Sequence, residues 1–493
     1  MLNRREIFFI LLPCVSAAAY LGFSYWRGAL GFPLDDAWIH QAYARNIGTR
    51  GEFAFFAGQP SAGSTSPLWT ILLGIGYFLR VDFRVWAYLL GALLLGASVV
   101  ILGRLAARIS PIPRLPVYCF LFTVFEWHLA WSAVSGMEIP LFVFLSLLLL
   151  ERFYARERSW VLGLIAGLLT LTRPEGAVLG ALMGLGLIAS VVGAKQSPLN
   201  PTLLREVEGI VLYTAGFAIL IAPYLAFNLA VSGAIFPNTF YAKNAEYAVL
   251  IESTPFLIRF AQTVAAPWVG AQILLLPGFI FTIARLVKDR DWGALVPFAW
   301  IVALPALYAL RLPVTYQHGR YEMPLVPFIA LYGIWGTMEL SAMVKNFVVR
   351  ATWGTSTAAV LIVFWFFGAN AYAGNVAFVD CEMVQTAHWV AQNAPSDALI
   401  AAHDIGALGY VYPRPFIDLA GLVSPEVIPF ISDDKRLREY LVARKVEYAI
   451  FMPDFSDWYH RIAQDAHFVT VFETNCAVTR AEGGTHMRVY QIR

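Results

Sequence analysis

The chain has 493 residues, of which 59% are hydrophobic and only 14% charged. Soluble domains carry roughly 25% charged residues, so an ordinary soluble fold is excluded and most of the chain belongs in lipid. A formal net charge of +2 is too small to imply a nucleic-acid partner, and the placement of the basic residues matters more than their number.

In chain order, "MLNRREIFFILLPCVSAAAYLGFSYW" has the basic start and apolar body of a signal peptide. Further apolar runs follow and no convincing A-x-A cleavage site is present, so residues 7–26 read as a retained first span with Arg4 and Arg5 cytoplasmic. A span needs about 20 apolar residues. The run 67–79 is too short and reads as a juxtamembrane or re-entrant helix within an outer loop, 27–84. Spans follow at 85–103, 115–134, 139–152, 160–172, 176–194, 209–227, 262–286, 293–310, 323–344 and 352–371. With this threading the basic loops, including those with Lys195, Arg205, Lys345 and Arg350, fall inside. "LDDAWIH", "SGMEIP", "TRPEG", "PNTFYAK" and "QHGRYE" all fall outside. The expected fold is a polytopic α-helical membrane protein of about eleven transmembrane helices.

From about residue 375 the character changes. Short β-branched runs such as "ALIAA", "HFVTVFET" and "MRVYQI" surround one amphipathic helix near 434–445, as expected for a small extracytoplasmic α/β domain, 375–493, after a membrane module, 1–374. Cys381 and Cys476 in this part either pair or remain two lone thiols. The first half of the chain does not repeat in the second, which weighs against an inverted-repeat transporter.

The outer loops hold the candidate chemistry. Asp35 and Asp36 open a stretch with His40 that has the pattern of an interfacial helix. They could simply be its cap and first-turn charge, but two acids at a membrane surface point to one carboxylate as base and its neighbour positioning a partner. "AGSTSPLW" reads as a helix start or as part of the site floor. Glu138 lies at an outer mouth, and burying a charge at such depth costs several kcal/mol, roughly, unless it is paired or functional. Arg173 and Glu175 flank a tight reversal and can neutralise one another. Lys243, which follows Asn238 in "PNTFYAK", joins His318, Arg320 and Tyr321 as cations and aromatics at lipid level, suited to phosphate or to headgroup anchoring. His403 and Asp404 follow a predicted strand at the start of a glycine-containing turn. That turn either caps and packs, or closes over an acceptor.

Outward acids, cations at lipid level and a soluble cap together match sugar transfer from a polyprenyl-phosphate donor: a carboxylate deprotonates an acceptor hydroxyl and cations hold the leaving phosphate. At "DDAWIHQAYARN", "GSTSPLW", "SGMEIPLF", "TRPEG", "PNTFYAK", "HGRYEMP" and "HDIGALGY" the chain resembles the GT-C superfamily of integral-membrane glycosyltransferases, above all bacterial enzymes of the arabinofuranosyltransferase B type. The resemblance implies an inverting transferase of the bacterial plasma membrane. Its base is Asp35 or Asp36, its second acid Glu138, its donor a lipid-phosphate sugar and its acceptor a glycan or lipid. Sugar identity does not carry over. A transporter or flippase would place polar residues at mid-span. A diphosphate-dependent oligosaccharide ligase usually calls for a divalent cation, and no outer loop shows a D-x-D or His-rich ligand set. No obligatory metal is expected, although a divalent cation is left open.

Overall fold

The computed structural model describes residues 4–194 and 201–493; Lys195, in one of the basic loops, lies outside the described residues. The first helix, α1 (Arg4–Trp26), has 23 residues, which at 1.5 Å each is long enough to cross about 30 Å of hydrocarbon. α2 (Asp35–Arg50) starts at the two acids, but its N-cap is Leu34, with no side-chain cap, so neither acid caps this helix. A short hairpin, β1 (Ala54–Phe56) and β2 (Gln59–Pro60), leads to α3 (Pro67–Phe78). The 12 residues of α3 reach only about 18 Å, too short to cross.

α4 (Phe83–Ile109) begins where the Asp82 carboxylate accepts from the amides of Arg84 and Val85, a regular N-cap. The segment 115–134, read from the sequence as one span, is divided into α5 (Leu115–Phe125) and α6 (Trp127–Ala133). Glu126 stands at the break with extended backbone and caps α6: its fully buried carboxylate accepts from the Leu129 amide at 3.0 Å and from Gln272 Nε2 at 2.6 Å. After α7 (Ile139–Tyr154), α8 (Ser159–Thr172), α9 (Gly176–Ala194) and α10 (Pro201–Ser232), the chain forms the short α11 (Asn238–Glu246) and α12 (Ala248–Ser253). The expected span 262–286 is also interrupted, into α13 (Phe256–Ala265), two 3-10 turns and α14 (Leu276–Lys288). Pro267 and the left-handed Gly270 stand at that interruption.

α15 (Val296–Arg311), the single turn α16 (Tyr316–Gly319), α17 (Val326–Met343) and α18 (Phe347–Val379) complete the helical unit. Among the described residues five stretches are long and apolar enough to cross a membrane: 83–109, 207–232, 271–288, 316–343 and 347–393. Large apolar side chains such as Ile219, Val363 and Phe366 stand exposed on two of these helices, the arrangement expected where lipid rather than water is the solvent. The architecture is that of a multi-pass membrane protein.

α18 continues through a π-turn, 380–384, into α19 (Gln385–Asn393), so one helical stalk runs into the C-terminal part. There β3 (Ile400–Ala402), α20 (Gly406–Val411), β4 (Ile417–Asp418), α21 (Asp434–Ala443), β5 (Tyr448–Phe451), α22 (Asp457–Ala463), β6 (Phe468–Glu473), α23 (Ala477–Glu482) and β7 (Arg488–Ile492) build a mixed five-stranded sheet of order β4-β3-β5-β7-β6. β3 is parallel to β4 and β5; β7 is antiparallel to β5 and β6. The stalk is fastened to the sheet at the π-turn. Cys381 and Cys476 form a disulfide. The adjacent buried Glu382 accepts from the Met487 amide at 2.8 Å and from the hydroxyls of Thr474 and Thr479.

Candidate active site

α2 divides its two acids between two tasks. Asp35 does not line the cavity. Its carboxylate accepts from the amides of Gly406 at 2.6 Å and Ala407 at 2.8 Å, capping α20 from another part of the chain. Arg45, near the other end of α2, donates to the carbonyls of Tyr410 at 2.8 Å and Gly409 at 3.4 Å. An acid at the amino end and a cation at the carboxyl end of α20 match its dipole, so α2 holds this helix by both ends. Gly406 is required for the approach, because a Cβ there would lie 2.0 Å from the Asp35 carbonyl oxygen. Burial, and then the Asp404 carboxylate, push the Asp35 carboxyl up to about 7 against the two amides.

Asp36, the next residue, faces a cavity of about 290 Å³ enclosed by α2, the 63–65 loop, the 137–138 and 173–175 turns, α11 and the 308–321 region. Its Oδ2 is 2.6 Å from Arg320 Nη2. The same guanidinium nitrogen donates to the Tyr321 hydroxyl at 2.9 Å, as does Lys243 Nζ, also at 2.9 Å. Burial pushes the Asp36 carboxyl up, but the charges of Arg320 and Lys243 outweigh it and hold it well below the usual carboxylate range. Arg320 is itself buried, and its Nε and Nη1 have no partner, a costly state for a cation unless a ligand completes it.

The backbone before Arg320 is strained for this purpose. Gln317, His318 and Gly319 all have left-handed φ, at 54°, 63° and 64°, and for the two non-glycine residues each such conformation costs roughly 1–3 kcal/mol. His318 is not in the cavity. Its Nε2 meets Asn375 Oδ1 at 2.9 Å and its ring packs edge-on to Trp127 and Trp131, so it fastens the turn that aims Arg320.

A second group sits one helical turn along α2. His40 Nε2 is 3.3 Å from Glu138 Oε2, and Glu138 Oε1 is 3.5 Å from Arg173 Nη1. Arg173 also meets Glu175 at 3.5 Å and donates to the Tyr308 hydroxyl at 2.7 Å. Burial opposes ionisation of Glu138, but the hydrogen bond from His40 and the charge of Arg173 hold its carboxyl down, at about 2. Tyr308 and Thr239 also line the cavity; the sequence reading missed both, Tyr308 because it lies within an apolar span.

Asn238 is just outside, its Nδ2 donating to the Leu422 carbonyl at 3.0 Å. His403 and Asp404 pair at 3.4 Å, with the His403 ring tilted against Phe455 and edge-on to Tyr459. Burial would lower the His403 imidazole, but the charge and hydrogen bond of Asp404, with Glu246 behind, raise it to about 9. Among the described residues the one His/Cys/Asp/Glu group close enough to share a metal is Glu382, Cys476 and His486. It does not fit an ion: the Cys476 sulfur is bonded to Cys381 and Glu382 is occupied by its own donors.

With broken helices, a polar-lined cavity and an α/β part packed against it, the chain is similar in fold to solved GT-C glycosyltransferases. ArnT from Cupriavidus metallidurans, solved with undecaprenyl phosphate bound, superposes with a TM-score of 0.59 at 13% identity, over 98% of this chain and 97% of that one. The oligosaccharyltransferase of Archaeoglobus fulgidus, tethered to an acceptor peptide, gives 0.59 at 12% identity, over 96% of this chain and 74% of that one. The same archaeal enzyme, AglB, with an inhibitory peptide and a dolichol-phosphate gives 0.58 at 12% identity, over 99% and 76%. Residues 372–490 match a family model described as a domain of unknown function, DUF8728. No curated protein sequence matches the chain.

Proposed function

We propose that the chain transfers one sugar from a polyprenyl-phosphate donor to a hydroxyl of an extracytoplasmic cell-envelope glycan or glycolipid, with inversion. The observation that carries this reading is the Asp36–Arg320 pair, in which the buried Arg320 lies beside Lys243 with two guanidinium nitrogens unpartnered, in a cavity also lined by apolar groups such as Phe236, Phe240 and Leu307. Lipid-phosphate ligands bound to the GT-C neighbours support it. A volume of about 290 Å³ lies at the lower end of small-molecule pockets, about 300–1,000 Å³. It suits one sugar and its phosphate better than an oligosaccharide diphosphate.

In this reading eleven spans put the N-terminus in the cytoplasm and the domain 375–493 outside, in an oxidising compartment that suits the Cys381–Cys476 bond. The donor phosphate takes the free nitrogens of Arg320 and the Lys243 ammonium. Its negative charge offsets theirs at Asp36 and restores that carboxylate as a base. Asp36 accepts the proton of the acceptor hydroxyl as the hydroxyl oxygen bonds to the anomeric carbon. The bond from that carbon to the phosphate oxygen breaks, and the phosphate leaves with the electron pair onto Arg320 and Lys243. Glu138 lines the sugar end, and His403 with Asp404 forms part of the acceptor side.

Native mass spectrometry with polyprenyl phosphate tests the reading. The full chain binds one lipid, and Arg320→Ala with Lys243→Ala weakens it by roughly tenfold or more, since charge-assisted contacts are the strong ones. Equal binding by that double variant would contradict it.

A further inference from the structure

We propose that Leu422, carried by the C-terminal part of the chain, is the end wall of the donor cavity and limits the transferred unit to a single sugar. This deepens the reading of the cavity as a lipid-phosphate sugar site and rests on it.

α2 sets the length of the cavity. Asp36, His40 and Tyr43 stand at i, i+4 and i+7, on one face of the helix. Asp36 pairs with Arg320, His40 with Glu138, and the Tyr43 hydroxyl with Ser61 Oγ at 2.8 Å. Asp36 and His40 line the cavity, whereas Tyr43, one turn further, does not. At 1.5 Å per residue the Asp36 and Tyr43 levels are only about 10 Å apart. With the phosphate on Arg320 and Lys243, one sugar ring reaches the His40 level, and a second ring would have to pass Tyr43.

That end is closed by the 62–65 loop against the 418–424 loop of the C-terminal part. Gly63 lies between the two sides: a Cβ there would stand 2.6 Å from the Leu422 carbonyl oxygen and 2.7 Å from the Tyr43 hydroxyl. The start of α11 ties the loops together, since Asn238 donates through Nδ2 to the Leu422 carbonyl and through its amide to the Ala62 carbonyl, both at 3.0 Å. Behind Leu422, the fully buried Asp418 carboxylate accepts from the amides of Ala420 and Val423, both at 2.8 Å, and the Asp418 amide donates to the Ser424 hydroxyl at 3.0 Å. A loop pinned in this way does not swing aside for a larger ligand without leaving buried polar groups unpaired. The half-buried Leu422 side chain lines the cavity, and it offers no partner to the hydroxyls of a second ring. Its bulk, on a fixed backbone, therefore sets how far the sugar extends.

The test uses the purified full chain and three probes: bare polyprenyl phosphate, polyprenyl-phosphate glucose and polyprenyl-phosphate cellobiose. The wild type should bind the first two and hold the disaccharide lipid about tenfold or more weaker than the glucose lipid, the order expected for overfilling a packed site. Leu422→Ala, which enlarges the cavity, should narrow the ratio between glucose and cellobiose lipids. Leu422→Trp, which shortens it, should weaken the glucose lipid relative to the bare lipid. Both readouts are ratios within one variant, so a loss of folded protein does not imitate them. Failure of bare polyprenyl phosphate to bind the wild type would overturn the underlying lipid-phosphate reading and this proposal with it. Binding of the bare lipid with glucose and cellobiose lipids held equally would overturn the size limit alone. Ratios unchanged from the wild type in Leu422→Ala or in Leu422→Trp would overturn the assignment of that limit to Leu422.

Discussion

The Asp35 carboxylate accepts from the Gly406 amide at 2.6 Å across a separation of 371 residues, while its neighbour Asp36 turns to Arg320. Adjacent residues at the start of a helix point about 100° apart, so one acid can hold the cap while the other enters the cavity. The paired acids are thus a structural clamp and a candidate base.

Asp35→Ala removes the partner of two amides at the domain contact and should cost roughly 1–3 kcal/mol. The expected outcome is earlier protease cleavage of the C-terminal part and partial loss of transfer, with binding of polyprenyl phosphate retained. Gly406→Val should do the same by blocking the approach. Limited proteolysis of both variants checks this.

His318→Ala releases the left-handed turn before Arg320. It should raise the KM for donor lipid several-fold while leaving the KM for acceptor unchanged, because His318 acts only through the placement of Arg320. His318→Gln, which can still reach Asn375, should recover part of the loss.

Much of this was legible from charge placement. Threading the basic loops to one side gathered Asp36, Glu138, Arg173, Lys243 and Arg320 on the other, and these residues do line one cavity. The strands at 400–402, 468–473 and 488–492 and the helix at 434–443 followed from period and β-branching. What escaped was long-range. Nothing in "HDIGALGY" says that the cap of its helix is Asp35 rather than the adjacent Asp404. His318 looks like a cation for phosphate, yet aromatic packing and three left-handed residues turn it away. Glu126 lay inside what reads as a span because its partner, Gln272, comes from another broken span.

His403 gives a pH dependence of known sign. Its folded-state value of about 9, against an ordinary 6.5, means that the charged pair with Asp404 stabilises fully below about pH 6.5. That contribution is lost as pH rises through 9. The melting temperature of the wild type should fall over this window, and His403→Gln should show a flatter profile.

Topology is checked by thiol labelling in intact cells. A cysteine at the exposed Gln59, in the β1–β2 hairpin, should react with an impermeant reagent, and one at the exposed Pro113 should not. Native Cys381 and Cys476 should stay silent until reduced.

The central claim is that Asp36 is the base for transfer from a lipid-phosphate donor. The direct measurement is single-turnover transfer from a saturating polyprenyl-phosphate sugar by the wild type, Asp35→Asn and Asp36→Asn, with donor binding measured alongside. The account predicts that Asp36→Asn still binds the donor but transfers about 10²- to 10⁴-fold more slowly, while Asp35→Asn loses far less. Wild-type transfer by Asp36→Asn would contradict it.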